Sequence, residues 1–291
     1  MTSPEPDLRR LRHFIAVAES GGFTRAAASL HLSQQALSSS IRQLEKDLSV
    51  ALFTRMGRQV TLTRAGQTLL SEGRVLLAAA RTVAEHVEKV GASTAEIFVV
   101  GHTPALSGIE AYTILEPAID GFPDVSFTLR QLYPADLTSA VLDGSVQLGL
   151  RRGVVPPDDL AAAVVGYHRV RLAVPSNHRL ADRRRVDIDE LADDQIVLWA
   201  PPGASYYSDL LVGACRRAGF EPNYVISRVQ GAATVAAPLT TDAIAFVTAA
   251  AGPAMDARVQ VIDVHPAIQV PVQALWQRHT VSAVRERIVT G

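Results

Sequence analysis

Four polar side chains with helical spacing have the chemistry to read a DNA duplex. Gln34, Gln35 and Ser38 are followed one turn later by Arg42, and residues three or four apart share a helix face. Glutamine can pair in two places with the edge of adenine, and serine is an adaptable partner. Arginine can neutralise a phosphate. The pattern indicates a major-groove reader, although the polar solvent face of a helical bundle fits it equally well.

Apolar periodicity places this surface on the third of three short helices. The first helix carries apolar residues at spacings of three and four and ends at two glycines: Leu11, Phe14, Ile15 and Ala18, then Gly21-Gly22. The second opens at Phe23, with Thr24 as its N-cap. The third is predicted from about Gln34 to Leu48, with Ser33 as its N-cap. The turn at residues 31–33 is typical of a helix-turn-helix.

Two extended runs around a glycine turn follow the third helix. Residues 52–55 and 59–62 flank the turn at 56–58 and predict a β-hairpin, or wing. Arg55 and Arg58 lie near its tip, where they would contact phosphates. Ordinary surface arginines are the alternative.

A seven-residue repeat marks the helix that begins after Thr63. Its two series are Leu69, Leu76, Val83 and Val90, and Gly73, Ala80 and Val87. A narrow apolar stripe of this kind fits coiled-coil packing, and helix-turn-helix dimers bind two half-sites. The stripe predicts a dimerisation helix, with packing against the chain's own body as the alternative.

Charge divides the chain near residue 90. Residues 1–90 contain 12 basic and 8 acidic residues, a net charge of +4, whereas the rest contains 16 basic and 21 acidic residues, a net charge of −5. A basic segment joined to an acidic body suggests a polyanionic partner for the basic part.

Composition excludes several classes of protein. The single cysteine, Cys215, cannot form an internal disulfide and is expected to be a small buried hydrophobe. We find no secretory signal and no apolar run long enough for a membrane span, and we expect a cytoplasmic protein. No catalytic or metal-binding pattern stands out, so we expect no enzyme activity, no cofactor and no metal.

The N-terminal residues resemble the LysR-type transcriptional regulators over roughly sixty positions. The similarity lies in Leu8-Arg9-x-Leu11-x-x-Phe14, Ser20-x-x-Phe23-Thr24-Arg25-Ala26-Ala27-x-x-Leu30, Leu32-Ser33-Gln34-Gln35-Ala36-Leu37-Ser38, Ile41-Arg42-x-Leu44-Glu45-x-Asp47-Leu48, Val50-x-Leu52-Phe53-x-Arg55 and Leu62-Thr63-x-Ala65-Gly66. Gln35 stands where the family usually has proline, and Ser49 where glycine is common. The resemblance implies these DNA contacts: Thr24, Arg25, Ser33, Gln34, Gln35, Ser38, Arg42, Arg55 and Arg58.

The body alternates buried strands with helices and looks like the effector domain of that family. Strands are predicted near residues 97–100, 125–129, 146–150, 170–174, 195–199, 224–227, 243–247 and 272–276. The resemblance implies an α/β multidomain protein with a winged helix-turn-helix at 1–62, a linker helix at 63–92 and an effector-binding domain at 93–291. That domain would comprise two α/β subdomains resembling type 2 periplasmic binding proteins, at about 96–167 with 272–291 and at about 168–271.

A cleft between two such subdomains is a natural small-molecule site. Thr103, where the resemblance places the meeting of a strand and a helix, would offer a hydroxyl beside free backbone N–H groups to an anion, with a plain N-cap as the alternative. Arg151 could pair with an anion, and a surface salt bridge is the alternative for it. The other residues that the resemblance places in the cleft are Leu132, Tyr133, Pro134, Ser205, Gln230 and Gly231. Pro134, Gln147 in place of the usual Asp, and residues 240–242 depart from the family pattern and leave the ligand class open.

The resulting interpretation is a sequence-specific, DNA-binding regulator modulated by a small-molecule effector. The partners implied are promoter DNA, an effector, and further copies of the chain in a homodimer that assembles to a homotetramer, with no membrane. A ligand-independent regulator is one alternative. Another class, a cytoplasmic small-molecule-binding protein or enzyme whose N-terminal part only dimerises, would lack the salt-sensitive DNA affinity that phosphate contacts demand.

Overall fold

The structure is a computed structural model that describes residues 5–56, 59–91, 96–227, 234–241 and 243–290. The chain forms two compact units. Unit 1 comprises residues 1–94, 142–144 and 277–280, and unit 2 comprises residues 95–141, 145–276 and 281–291.

Unit 1 contains the predicted three short helices, hairpin and long helix. Its elements are α1 (Leu8–Ser20), α2 (Phe23–Ser29), α3 (Gln34–Leu48), β1 (Phe53–Met56), β2 (Gln59–Leu62) and α4 (Arg64–Gly91). The strands β1 and β2 pair antiparallel, with Phe53 opposite Leu62. This is a winged helix-turn-helix followed by a linker helix, as the sequence predicted.

Capping residues set the helix starts in unit 1. The Ser33 hydroxyl accepts a hydrogen bond from the Ala36 N–H at 3.1 Å, which confirms Ser33 as the N-cap of α3. The predicted cap of α2 is wrong: Thr24 lies inside the helix, whose N-cap is Gly22 without a side-chain bond. The C-cap of α3 is Ser49, whose φ is 55°, so a serine adopts the left-handed conformation that glycine commonly takes at this position.

Aromatic packing closes the core of unit 1. The Phe14 and Phe53 ring centroids lie 5.2 Å apart, and those of Phe23 and Phe53 lie 5.8 Å apart. These contacts hold the hairpin against α1 and α2, because aromatic pairs contribute beyond the area that they bury. The fully or nearly buried residues of this core are Leu11, Phe14, Ile15, Val17, Ala26, Ala27, Leu37, Ile41, Leu44 and Leu52.

Unit 2 contains a sheet of parallel and antiparallel strands, with helices between the strands along the chain. Its elements are β3 (Glu96–His102), α5 (Gly108–Gly121), β4 (Val125–Gln131), α6 (Pro134–Leu142), β5 (Leu148–Arg152), β6 (Leu160–Pro175), β7 (Arg185–Asp187), β8 (Gln195–Leu198), α7 (Tyr206–Arg217), β9 (Asn223–Ile226), α8 (Pro238–Thr241), β10 (Ile244–Val247), β11 (Gly252–Ala254), β12 (Val259–Gln277) and α9 (Ala283–Thr290).

Two long strands join the halves of this sheet. The strand order is β4-β3-β5-β12-β6-β10-β8-β9. On one side β3 runs parallel to β4 and β5, and on the other β8 runs parallel to β9 and β10. The 16-residue β6 and the 19-residue β12 lie between these groups. The predicted arrangement of two α/β subdomains is confirmed. The strands β6 and β12 are the crossover strands that join the two halves, and each half has its own buried core.

Several strands differ from the prediction at their ends. The strand predicted at 146–150 begins at Leu148, because the Gln147 side chain, and not a ladder carbonyl, accepts the Val99 N–H at 2.7 Å. The same contact shows that the glutamine supplies a hydrogen-bond acceptor at a position where the family usually has Asp. The first halves of β6 and β12, together with β7 and β11, were not predicted. Among the described residues, no helix is long and apolar enough to span a membrane.

Replacing Gly66 by alanine should destabilise unit 1. A Cβ at Gly66 would lie 2.2 Å from the carbonyl oxygen of Leu52, which is backbone and cannot move aside freely. We expect the free energy of unfolding to fall by about 1–3 kcal/mol, as for other overpacked sites, measured by urea denaturation.

The matched control is Gly108→Ala in the first turn of α5, because a Cβ at Gly108 meets no atom within 4 Å. An unfolding free energy of Gly66→Ala equal to that of the control would contradict the close packing of α4 against the start of the hairpin.

Candidate nucleic-acid interface and ligand cavity

Helix α3 turns a polar surface to solvent. Gln34, Gln35 and Arg42 are exposed and Ser38 is half-buried, whereas Leu37 between them is fully buried. The Arg42 Nε donates to the Ser38 carbonyl at 3.3 Å. The four predicted side chains therefore form one continuous surface on α3, opposite its apolar face.

The start of α2 lies on the same helix-turn-helix and adds a second polar patch. Thr24 and Arg25 are exposed there, and Ser33 is exposed at the start of α3. Within the described residues, neither Arg25 nor Arg42 forms an ion pair. Both guanidinium groups therefore have their charge available for a phosphate.

Acidic residues on the other side of α3 fix its position. Glu45 Oε1 accepts the backbone N–H groups of Leu52 at 2.8 Å and Phe53 at 3.3 Å, which ties the hairpin to α3. Asp47 forms an ion pair with Arg10 of α1 at 2.6 Å. Sequence reasoning assigned no role to these acids. The sequence feature that could have indicated their role is an acidic pair near the end of a helix whose opposite surface is basic and polar.

Some predicted site residues lie outside the described part of the chain. These are Arg58 of the hairpin turn, and Gln230 and Gly231 of the expected cleft. For Arg55 and Val90 the backbone lies in β1 and α4, but their side chains are outside the described residues.

The predicted dimerisation stripe on α4 divides into two parts. Leu69 packs against the core of unit 1. Gly73 is buried at α1, since a Cβ there would lie 2.7 Å from Leu11 Cδ1. These two positions therefore serve the interior of unit 1, where they pack beside α1 and not against the body of the chain, and they correct the predicted stripe at its start.

The second part of the stripe is exposed. Leu76, Val83 and Val87 are 42%, 63% and 67% exposed, and Ala80 between them is half-buried. Three large apolar side chains along one helix face leave an apolar strip in contact with solvent within unit 1. Such a strip marks an interaction surface when its members are contiguous.

Unit 2 contains a cavity of about 630 Å³ at the carboxyl ends of its parallel strands. Ligands of open α/β sheets bind at this edge. The lining residues are Thr103, Pro104, Ala105, Tyr133, Pro134, Arg151, Arg152, Gly153, Val154, Val155, Trp199, Ala200, Ala204, Ser205, Tyr206, Tyr207 and Asp209. Five predicted residues are among them: Thr103, Tyr133, Pro134, Arg151 and Ser205.

Leu132 does not line the cavity, which corrects its assignment. Its side chain turns towards β3, where Leu132 Cδ1 lies 3.3 Å from the position of a Cβ on Gly101. The Leu132 N–H continues the strand ladder by donating to the His102 carbonyl at 2.9 Å.

The backbone N–H of Thr103 itself is not free for the anion pocket that was expected there. The Thr103 N–H donates to the Leu150 carbonyl at 3.1 Å, and α5 begins only at Gly108. The start of α5 is already capped, because Glu110 Oε2 accepts both the N–H and the hydroxyl of Ser107 at 2.8 Å. Thr103 is buried and lines the cavity, to which it contributes a side-chain hydroxyl.

A buried ion pair that sequence reasoning missed supports one wall. The Arg152 side chain is 1% exposed, and its Nη2 lies 2.7 Å from Glu110 Oε1. The same oxygen lies 2.6 Å from Nδ1 of His168 on β6. Arg152 also donates to the carbonyl of Ala105 at 3.2 Å and to the hydroxyl of Thr248 at 3.1 Å. The guanidinium thereby joins α5 and β5 to the end of β10.

The charge of Glu110 is strongly favoured in this setting. Burial by itself raises the pKa of a carboxyl group, but the hydrogen bond from His168 and the charge of Arg152 outweigh burial. Together they hold the pKa of Glu110 well below its ordinary value. The pair carries its full opposite charges at neutral pH.

Arg151 has a different environment from its neighbour. Its Nε donates to Oε1 of Gln273 at 2.9 Å, and its Nη2 donates to the carbonyl of Val155. Arg151 is half-buried, and burial lowers its pKa. Among the described residues, no carboxylate pairs with it.

Aromatic side chains form much of the remaining wall. Tyr133, Trp199 and Tyr206 line the cavity with Tyr207, which is buried and donates its hydroxyl to the Phe246 carbonyl at 3.3 Å. Burial raises the pKa of Tyr207, so this hydroxyl stays protonated. The signal for Tyr206 and Tyr207 was their position in the first turn of a helix that starts beside the predicted Ser205.

Other reactive groups lie away from this chemistry. Cys215 is buried, which confirms the expectation of a small hydrophobe, and burial raises the pKa of its thiol to about 11. Within the described residues, no cluster of three His, Cys, Asp or Glu side chains could hold a metal ion.

Both parts of the chain match family models. Residues 8–67 match the model described as bacterial regulatory helix-turn-helix protein, lysR family. Residues 96–288 match the model of the LysR substrate binding domain.

Similar proteins include two regulators of Escherichia coli K12. The chain is 33% identical over 218 residues to YnfL, an uncharacterized HTH-type transcriptional regulator, covering 74% of this chain and 73% of YnfL. It is 32% identical over 236 residues to the HTH-type transcriptional regulator XapR, covering 79% and 78%. The fold is also that of full-length CbnR crystallised with its target DNA, at a TM-score of 0.58, 21% identity and 98% coverage of both chains.

Replacing Glu110 by glutamine should destabilise unit 2, because Arg152 would keep a buried charge without a carboxylate. We expect a loss of about 3 kcal/mol in the free energy of unfolding at pH 7. Urea denaturation followed by tryptophan fluorescence measures it, since Trp199 and Trp276 both lie in unit 2.

The difference should depend on pH. The pKa of Glu110 is lower in the folded state, so its stabilisation is complete above the ordinary glutamate pKa and is lost as the pH falls towards the folded value. Glu110→Gln should therefore lie closest to the wild type in acid. Glu221→Gln, which breaks the exposed pair with Arg216, is the control that should change little. Equal effects of the two variants at pH 7 would contradict the buried network.

Proposed function

The chain belongs to the LysR family of bacterial helix-turn-helix transcriptional regulators, and we propose that it reads promoter DNA with α3 under the control of an effector bound in the cavity of unit 2. The observation that carries the DNA-binding part is the polar surface of the exposed Gln34 and Gln35 and the half-buried Ser38, opposite a buried apolar face.

The DNA contacts divide into two kinds. We assign base contacts in the major groove to Gln34, Gln35 and Ser38, because the first residues of a recognition helix reach the base edges. Phosphate and backbone contacts fall to the surrounding polar and basic residues: Thr24, Arg25, Ser33, Arg42, Arg55 and Arg58. The likeness in fold to CbnR, which was crystallised with its target DNA, supports this placement.

The assembly proposed is a homodimer that pairs into a homotetramer. The exposed strip of Leu76, Val83 and Val87 with Ala80 supports a second copy of α4 as its partner. A dimer would present two copies of α3 to the half-sites of a dyad-symmetric operator. Pairing of the effector-binding domains would then bring four N-terminal units onto one promoter.

The effector would act by changing how the two halves of unit 2 are arranged relative to each other. The cavity lies where both halves contribute lining residues, Thr103 and Arg151 from one and Ser205 and Tyr206 from the other. A ligand held by both halves favours the closed arrangement, and it can bias DNA binding only if its affinity differs between the states. A regulator that works without any ligand is the alternative within the family.

The alternative from a different class is not favoured. A small-molecule-binding protein or enzyme would use its N-terminal part only for dimerisation. The curated relatives YnfL and XapR are named as transcriptional regulators, and the exposed cations Arg25 and Arg42 are better explained by a polyanion.

Selection of bound genomic fragments tests the base contacts. We expect the wild-type protein to enrich a common dyad-symmetric site and the double variant Gln34→Ala, Ser38→Ala to lose that enrichment by about tenfold or more at matched salt, because each good base contact contributes about 1–3 kcal/mol of discrimination. The measurement is sequencing of the bound fragments.

Gln67→Ala on the exposed side of α4 is the matched control and should keep the wild-type site. Weak, sequence-independent enrichment by the wild type with and without cell metabolites would contradict the proposal. So would retention of the site by the double variant.

A further inference from the structure

We infer that the cavity of unit 2 accepts a small monoanion with an apolar body, whose charged group is held by Arg151. This inference rests on the proposed function, because it gives a chemical class to the effector. It follows from which charges around the cavity are already compensated and which are not.

The charge of Arg152 is not available to a ligand. Its guanidinium is paired with Glu110 at 2.7 Å and bonded to Ala105 and Thr248. The pair is buried within the protein, and breaking it would leave an isolated charge, which is strongly unfavourable. Arg152 is therefore part of the wall and contributes no net attraction for an anion.

The charge of Arg151 is available. Its two hydrogen-bond partners, the Gln273 side chain and the Val155 carbonyl, are both neutral. A half-buried cation with only neutral partners has lost part of its hydration without gaining a counter-ion. Burial lowers the pKa of this guanidinium in agreement with that environment. An anion entering from solution would supply the missing charge, and arginine pairs with carboxylates through two parallel hydrogen bonds.

The cavity favours one negative charge over two. Asp209 is the remaining charged residue in its lining. It is exposed, and its Oδ1 accepts the Gly203 N–H at 2.7 Å, which holds the carboxylate beside the start of α7. A second anionic group on the ligand would meet this carboxylate, apolar walls or the neutral hydroxyls of Thr103 and Ser205, and none of these supplies a second positive charge. We therefore expect a monoanion.

The walls determine the rest of the ligand. Aromatic faces come from Tyr133, Trp199 and Tyr206, and aliphatic surface comes from Pro104, Pro134 and Val154. Surfaces of this type gain stability by covering apolar area. The ligand body should therefore be a ring or a branched hydrocarbon of a size that fits about 630 Å³.

Calorimetry with matched probes tests the inference on the full-length protein. Each of three skeletons, phenyl, cyclohexyl and linear hexyl, is tested as a monocarboxylate, its neutral amide, a dicarboxylate and an α-amino acid; phenylacetate, phenylacetamide, 1,4-phenylenediacetate and phenylalanine form the phenyl set. We expect the monocarboxylate of the preferred skeleton to bind about tenfold tighter or more than its amide, the gain of a charge-assisted hydrogen bond.

Variants test whether Arg151 causes the preference for the acid over the amide. Arg151→Gln should remove the difference between acid and amide, whereas Arg151→Lys should retain part of it. Arg183→Gln, at a side chain that is 59% exposed and outside the cavity lining, is the control and should behave as the wild type. Circular dichroism of each variant checks that it is folded.

Several results would overturn the inference. These are equal binding of acids and amides, tighter binding of dicarboxylates or amino acids, an unchanged preference in Arg151→Gln, and no binding of any monocarboxylate at about 10 mM, tenfold above a dissociation constant of about 1 mM. Failure of the proposed function is separate: it is loss of site-specific DNA enrichment by the wild type, which the calorimetry does not measure.

Discussion

The guanidinium of Arg152 is buried, so it must be paired inside the protein, and its pairing organises the ligand-binding unit. Glu110 supplies the opposite charge at 2.7 Å and with its other oxygen caps the start of α5. His168 and Thr248 bring β6 and the end of β10 to the same cluster. One carboxylate thus fixes a helix, a strand end and a crossover strand of unit 2 around the cavity. Because Glu110 pairs with Arg152 and not with Arg151, the neighbouring Arg151 is left as the cation that a ligand can reach.

In unit 1, too, some charged groups are paired inside the protein and others are left free: one side of α3 has paired acids, and its opposite side has free polar groups. Glu45 and Asp47 are used inside the unit, where they hold the hairpin and α1 against α3. The opposite surface, with Gln34 and Arg42, has no acidic partner among the described residues. A rigid helix with a free basic and amide-rich surface is what DNA recognition requires, because flexible contacts would lose their discrimination between bases.

Local signals made unit 1 predictable, and non-local contacts limited the prediction of unit 2. The helix bounds of α3 follow from Ser33 and from apolar periodicity, which act within a few residues. The cap at Thr24 was wrong because Gly22 takes the N-cap position. In the cavity, Thr103 and Arg151 could be placed through a family resemblance, whereas Glu110 and His168 are 58 residues apart in the chain. No spacing signals such a pair. Leu132 was misplaced because the direction of its side chain, just after the end of β4, is set by packing against Gly101 in the neighbouring strand.

The salt dependence of DNA affinity tests directly whether α3 and the start of α2 contact DNA. Fluorescence anisotropy would follow full-length protein binding to a random-sequence duplex of about 40 base pairs from about 50 to 200 mM salt. If Arg25 and Arg42 contact phosphates in each subunit of a dimer, the logarithm of the association constant should fall linearly with that of salt, with a slope of about −4 or steeper, and Arg42→Gln should reduce its magnitude by about 2. An affinity that does not change with salt, or a slope unaltered in Arg42→Gln, would contradict the assignment of α3 to the DNA.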